Sequence, residues 1–261
     1  MKNYMLNQYL PRVDFNSYED FKENFTINVP EDFNFGFDIV DGWAAHESGK
    51  KALVWCNDHG EEHTFTFNDV KAYSNRICNY FKSLGLRKGD KVMLIMKRRY
   101  EYWMTATALH KMGIVMIPAS FQLTEKDLIY RINAAGVKMI IIAPDDNIIS
   151  HVENSLNQCP TLEYKAMVHE EGAGREGWID YRSAFLAHSD VFERPTGEDA
   201  VLAKDPMILY FTSGTTGMPK MVQHIQSYPL GHILTAKYWQ QVEDNGLHLT
   251  VSDSGWAKFS W

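Results

Sequence analysis

From about residue 68 to residue 168 the sequence switches repeatedly between two periods. Val70, Tyr73, Ile77, Tyr80, Phe81 and Leu84 recur at three- and four-residue spacing, with Asn68 as the expected cap and Gly85 as the stop. The turn "GLRKGD" then leads into the short apolar run "KVMLIM". The same exchange follows three more times: helix 100–112 and strand 114–118, helix 124–135 and strand 137–143, helix 146–158 and strand 164–168. Short apolar strands alternating with helices of about a dozen residues build βαβ units, because parallel neighbours need a crossover connection. The predicted class is therefore α/β, with parallel sheets flanked by helices.

The flanking stretches read differently. "KALVWCNDHGEEHTFTF" carries two alternating runs around Asn-Asp-His-Gly, which predicts a β-hairpin. Residues 1–50 are polar, aromatic-rich and weakly periodic, as expected of an extension of short helices packed on the core. "HEEGAGREGW" (169–178) reads as a surface excursion and "SDVFERPTGEDAVLAKD" (189–205) as a linker between layers or subdomains. The expected organisation is an extension at 1–50, an α/β subdomain at 51–203 and the start of a second α/β subdomain at 204–261. The closing "HLTVSDSGWAKFSW" has no polar tail, so the chain is expected to be a fragment that stops inside a domain.

Composition narrows the function. A net charge of −7 over 261 residues disfavours nucleic acid or an anionic membrane surface as the main partner. No apolar run reaches the roughly 20 residues that span a bilayer. The N-terminus lacks the apolar stretch of a signal peptide. Cys56, Cys78 and Cys159 form no metal-binding or disulfide pattern, which predicts a reducing, cytoplasmic setting and no metal ligands of their own.

One stretch points to chemistry. In "YFTSGTTGMPK" (210–220) the run Met207–Phe211 ends in a loop with little bulk, several hydroxyls and one cation. A glycine-rich loop between a strand and a helix aims successive backbone N–H groups at one point and forms an anion nest. Gly214 and Gly217 permit the tight path and close approach. Thr212, Ser213, Thr215 and Thr216 add hydroxyls, Met218 and Pro219 form the exit, and Lys220 adds positive charge. The spacing is not that of the Walker loop, because two residues separate the last glycine from the lysine. The bland alternative is a Ser/Thr/Gly-rich surface turn with an incidental lysine.

The motif closely resembles the signature loop of the adenylate-forming superfamily, which includes acyl- and aryl-CoA synthetases, luciferases and peptide-synthetase adenylation domains. "ALHKMGIVMIPAS" (108–120) is similar to a helix–strand segment of the same superfamily. Most members carry glycine after the loop lysine, whereas this chain has Met221 and then "VQH", which resembles the medium-chain acyl-CoA synthetase branch. "FQLTEKDLIYRI" (121–132) and "SDSGW" (252–256) point the same way. The resemblance covers all but the N-terminal extension and implies the first part of the large N-terminal domain of such an enzyme. It implies an AMP-forming acid–thiol ligase with ATP and CoA as substrates and Mg²⁺ as cofactor, acting on a short- or medium-chain carboxylic acid. It assigns Thr212 to Lys220 to ATP phosphates, Lys220 as a charge stabiliser. It places Trp256, Ala257 and Lys258 beside the acyl chain and Gln122 near CoA.

Each assignment has a plainer alternative. Trp256 reads equally as a core aromatic, and Gln122 as a solvated turn residue. Lys258 is costly beside an acyl chain unless its ammonium reaches water or a polar partner. Lys97, Arg98 and Arg99 follow a parallel strand, where ligands gather, yet three basic residues in a turn are commonly a solvated face. His224, on the helix expected after Lys220, reads as structural. Adenylation of an amino or aryl acid for a carrier protein, or a nucleotide-binding fragment without catalysis, are the competing functions. The adenine pocket, the ribose-binding acid, the Mg²⁺ ligand and a C-terminal lysine are expected downstream, so the chain alone is expected to be inactive.

Overall fold

A computed structural model describes residues 3–169, 174–212 and 217–260. The expected alternation is present. Helix α4 (Phe67–Ser83) precedes strand β3 (Lys91–Ile95), α5 (Glu101–Met112) precedes β4 (Val115–Pro118), and α6 (Glu125–Ala135) precedes β5 (Met139–Ile142). Helix α7 (Asp146–Ser155), prolonged by a 3₁₀ turn at Leu156–Gln158, leads to β6 (Tyr164–Met167). Strand β7 (Ile179–Asp180), α8 (Tyr181–Leu186), β8 (Pro206–Thr212) and β9 (Lys220–Ile225) come next, then α9 (Tyr228–Ile233) and α10 (Ala257–Ser260). In front of these lie α1 (Leu6–Tyr9), α2 (Tyr18–Asn24), a π-helix (Phe35–Asp41), α3 (Gly42–His46) and the hairpin β1 (Lys51–Cys56) and β2 (Glu62–Thr66).

Seven strands form one sheet in the order β7-β6-β5-β3-β4-β8-β9. Every pairing is parallel except the last, β8 with β9. Register follows from burial on both faces. Val92, Leu94, Met116, Met139 and Ile141 pack with α4, α5 and α8, while Met93, Ile95, Ile117, Ile140 and Ile142 pack with α6 and α7. A one-residue slip would exchange these two sets, so the central strands hold one register. The boundary expected near residue 203 falls between β7 and β8, which lie toward opposite edges of this sheet.

Local chemistry explains the helix ends and corrects one expectation. Thr66, and not Asn68, caps α4. Its hydroxyl accepts from the Asp69 N–H, and the Asp69 carboxylate accepts from the Thr66 N–H at 2.8 Å, a reciprocal capping box. Asn68 is the second helical residue and lacks the extended backbone a cap needs. Thr124 and Asp127 repeat the device on α6, and Gly113 and Gly136 close α5 and α6 in the left-handed conformation.

A second correction concerns the chain after Lys220. The expected helix carrying His224 is the strand β9, paired with β8 from Thr212↔Lys220 to Pro206↔Ile225. Met221, Val222, His224 and Ile225 suit an extended, half-covered surface better than a helix interior. The glycine-rich loop therefore joins two antiparallel strands.

The N-terminal extension is keyed to α5. Gly36 lies against Lys111, where an added Cβ would meet Lys111 Cγ at 2.5 Å. Asn34 Nδ2 donates to the His110 carbonyl at 2.7 Å. The fully buried Lys111 Nζ lies 2.7 Å from an Asp41 carboxylate oxygen and donates to Asn75 Oδ1 at 2.7 Å.

Candidate functional site at the carboxyl edge of the sheet

The carboxyl ends of β3, β4, β5 and β8 share one edge, since these strands run parallel. Such edges are where open α/β sheets hold ligands. Helix α5, after β3, packs on one face and α7, after β5, on the other, so the connections diverge between these adjacent strands. Lys97 and Asp145 close that point with an ion pair of 2.7 Å, and Lys97 Nζ lies 4.9 Å from the centre of the Phe121 ring. The Lys97 ammonium and hydrogen bonds from Asn147 and Ile148 hold the Asp145 carboxyl below its ordinary range. Within the basic run, Lys97 is thus paired, Arg99 stands 3.4 Å from the buried Glu101, and Arg98 is exposed.

The loop segment 212–220 begins where β8 ends. Ser213, Gly214, Thr215 and Thr216 lie outside the described residues. Thr212 and Lys220 face each other as the last pair of the β8–β9 ladder, and Thr212 Oγ1 donates to the Lys220 carbonyl at 3.5 Å. Gly217 has φ +105°, and a Cβ added there would meet nothing within 4 Å, so the backbone angle itself calls for glycine. Met218 and Lys220 are exposed, and the Pro219 carbonyl accepts from the Tyr130 hydroxyl at 2.9 Å. Thr212, Gly217, Met218, Pro219 and Lys220 therefore form the two arms of one hairpin.

The segment 252–258 reaches the same edge. Gly255 packs on the backbone that follows β4, where an added Cβ would meet Ala119 C at 2.8 Å and Ser120 Cα at 2.9 Å. Asp253 Oδ1 accepts from the Gly255 N–H at 2.8 Å, and Ser254 is buried beside it. Helix α10 docks through Phe259, stacked on Trp103 at 5.3 Å, and Ser260, whose hydroxyl is 2.6 Å from that of Tyr102. Docking by Phe259 and Ser260 leaves Trp256, Ala257 and Lys258 exposed. Trp256 is 66% exposed. Gln122 is exposed in the turn after Ser120, its N–H donating to Ser120 Oγ at 3.2 Å. Residues 122 and 256, far apart in sequence, are joined through the Ser120–Gly255 contact.

Sequence reasoning missed Tyr130. It lies within a correctly placed helix, but its partner is 89 positions away, and periodicity carries no trace of such a contact. Among the described residues no three His, Cys, Asp or Glu side chains converge where they could hold a metal ion. A cavity of about 920 Å³ opens elsewhere, lined by Tyr4, Met5, Phe33, Trp43, Leu230 and Ile233, and none of the described loop residues borders it.

An open, mainly parallel sheet with a glycine-containing hairpin at its carboxyl edge defines an α/β fold of the class that commonly holds ligands at that edge. The AMP-binding enzyme family model matches residues 40–256, and the chain belongs to that family. It is 36% identical over 242 residues to the human mitochondrial acyl-coenzyme A synthetase ACSM5, covering 89% of this chain and 40% of that protein. It is 34% identical over 256 residues to mouse mitochondrial acyl-coenzyme A synthetase ACSM3, covering 95% of this chain and 43% of that protein. The chain thus spans about two fifths of the length of these relatives. The fold is shared with the acyl-CoA synthetase of Brucella canis (TM-score 0.74, 21% identity, 86% of this chain and 39% of that one). It is also shared with the anthranilate CoA ligase AuaEII in complex with anthranoyl-AMP (TM-score 0.69, 24% identity, 81% of this chain and 38% of that one).

Proposed function

We propose that the protein carrying this chain activates a short- or medium-chain carboxylic acid with ATP and transfers the acyl group to CoA. The observation that carries this reading is the family match, joined to a loop at the carboxyl edge whose composition suits phosphates. The named relatives are acyl-coenzyme A synthetases. A carboxylate oxygen attacks the α-phosphorus of ATP, the bond to the bridging oxygen breaks, and pyrophosphate leaves with the electron pair. The CoA sulfur, as thiolate, then attacks the acyl carbon and AMP departs. Negative charge builds on pyrophosphate in the first step, so donors already in place around it lower that barrier. Thr212, Ser213, Gly214, Thr215, Thr216, Gly217 and Lys220 are the residues we assign to it, with Met218 and Pro219 shaping the exit. Mg²⁺, when bound with ATP, would neutralise part of the same charge.

Trp256 and Ala257 are assigned to the acid, with Lys258 at the rim, and Gln122 to CoA. Their shared edge supports this grouping. An apolar wall gains about 0.8 kcal/mol per buried methylene of an acyl chain. Cys56, Cys78 and Cys159 are free thiols, which suits a reducing compartment. The expected cytoplasm is one such place, while the relatives named above are mitochondrial, and fractionation of cells expressing the tagged protein decides between them. Among the described residues no helix is long and apolar enough to cross a membrane.

The test of the function is isotope exchange between pyrophosphate and ATP in the full-length protein. Acids from acetate to octanoate, aromatic acids and amino acids are supplied in turn. Exchange driven by the aliphatic acids, followed by CoA-dependent AMP release, is the expected result. Exchange with amino acids alone would replace this reading by carrier-protein loading, and none with any acid would leave nucleotide binding only.

A further inference from the structure

We infer that Tyr130 is a positioning residue for the loop between β8 and β9, holding the return arm that carries Lys220. For its effect on catalysis this rests on the phosphate role proposed for that loop; the brace itself does not. The Tyr130 hydroxyl donates to the Pro219 carbonyl at 2.9 Å. Proline has no N–H, so this carbonyl is its one backbone hydrogen-bonding group, and fixing it fixes the plane of the Pro219–Lys220 peptide. Gly217, two residues earlier, has open space around it and a backbone angle only glycine adopts easily, and Met218 is exposed. The arm therefore has a pliable start, and the bond from Tyr130 sits immediately before the first pair of the β9 ladder.

The outgoing arm is gripped by the same helix. The Tyr130 ring stands edge-on to Phe211, the residue before Thr212, with centroids 6.3 Å apart. The Arg131 guanidinium lies 5.0 Å from the centre of that Phe211 ring. Helix α6 is a firm support, with the Thr124–Asp127 capping box at one end, the left-handed Gly136 at the other, and Leu128 and Ile132 fully buried between them. Its cap follows Gln122 by two residues. One helix thus spans from the turn assigned to CoA to both arms of the loop assigned to ATP, and Tyr130 is its hydrogen-bonded link to the return arm.

Tyr130→Phe keeps the ring and deletes the hydroxyl. Tyr164→Phe is a matched control, because the Tyr164 hydroxyl also donates to a main-chain carbonyl at 2.9 Å, that of Leu84, away from the loop. Both are made in the full-length protein and tested first by amide hydrogen exchange. Tyr130→Phe is expected to speed exchange at Met218, Lys220 and Met221 while the α6 amides keep their rates, and Tyr164→Phe to leave those three unchanged. Equal loop rates in the two variants would overturn the brace. In pyrophosphate exchange, Tyr130→Phe is expected to raise KM for ATP roughly threefold to tenfold, the range one weakened hydrogen bond supports. Acyl transfer from supplied acyl-adenylate to CoA should not change. Faster loop exchange with an unaltered KM would reduce Tyr130 to a purely structural role and end the proposal. Absence of pyrophosphate exchange in the unmodified protein would refute the proposed function, while the amide rates would still decide whether the brace exists.

Discussion

Gly255 lies against the backbone of Ser120, so near that a side chain on Gly255 would come within 2.9 Å of Ser120 Cα. This contact ties the segment bearing Trp256 to the turn bearing Gln122, and it depends on the absence of one carbon.

Gly255→Ala is the direct test. Backbone atoms of Ala119 and Ser120 cannot swing aside as a flexible side chain can, so the two segments must part. Overpacking of this kind costs about 1–3 kcal/mol. The expected outcome is a lower Tm and a raised KM for the acid, with the Kd for ATP little changed. Calorimetry and acid titrations of the full-length protein check it, and an unchanged KM would separate this segment from the acyl site.

Lys220→Ala should weaken the first half-reaction far more than transfer from supplied acyl-adenylate to CoA. The reason is that pyrophosphate, the group Lys220 is assigned to, has left before the second step. Removing one charge stabiliser of this kind costs on the order of a hundredfold in rate. Equal losses in both half-reactions, measured separately, would mean that Lys220 only holds the hairpin.

Ala257→Trp should narrow the range of accepted acids toward shorter chains without altering ATP binding. Ala257 is exposed beside Trp256 at the start of α10. Specificity constants across acids of increasing length supply the readout, and an unaltered profile would remove Ala257 from the acyl site.

Asp41→Ala should destabilise the N-terminal extension strongly, because Lys111 would keep a buried charge without its anionic partner, left with Asn75 and the face of the Phe37 ring. Loss of one member of a buried pair costs about 3–5 kcal/mol, whereas replacing both by apolar residues costs much less. A cycle of Asp41→Leu, Lys111→Met and the double variant, measured by denaturant unfolding, should show the double variant as more stable than either single one.

His110 should impose a pH dependence on stability. Burial pushes its imidazole down from 6.5 to about 3, so the folded protein keeps it neutral where the unfolded chain would protonate it. Between these two values the unfolded state binds more protons. Stability from this group is therefore full above pH 6.5 and is lost as pH falls toward 3, by at most about 1.4 kcal/mol per pH unit. His110→Phe should flatten that part of the unfolding profile relative to the unmodified protein, and parallel profiles would show that His110 does not titrate with unfolding.

The order of residue types alone dictated the α/β alternation, because the core strands are buried on both faces while α4, α6 and α7 are buried on one, and these burdens write different periods. It also singled out the candidate loop, since glycines, hydroxyl residues and a cation at that spacing suit the phosphate role proposed for it. The capping box at Thr66 and Asp69 was equally open to reading, but Asn68 looked like a cap because neighbouring cap-formers compete and backbone conformation selects between them. Tertiary structure decided the conformation of the chain after Lys220. Met221 to Ile225 favours extended backbone but is too short a run to decide its conformation alone, and the ladder offered by β8 makes it a strand. It also decided which distant residues meet: Tyr130 with Pro219, Gly255 with Ser120, Lys111 with Asp41. Such contacts arise from the packing of whole elements against one another, and no local period or motif encodes a partner dozens of residues away.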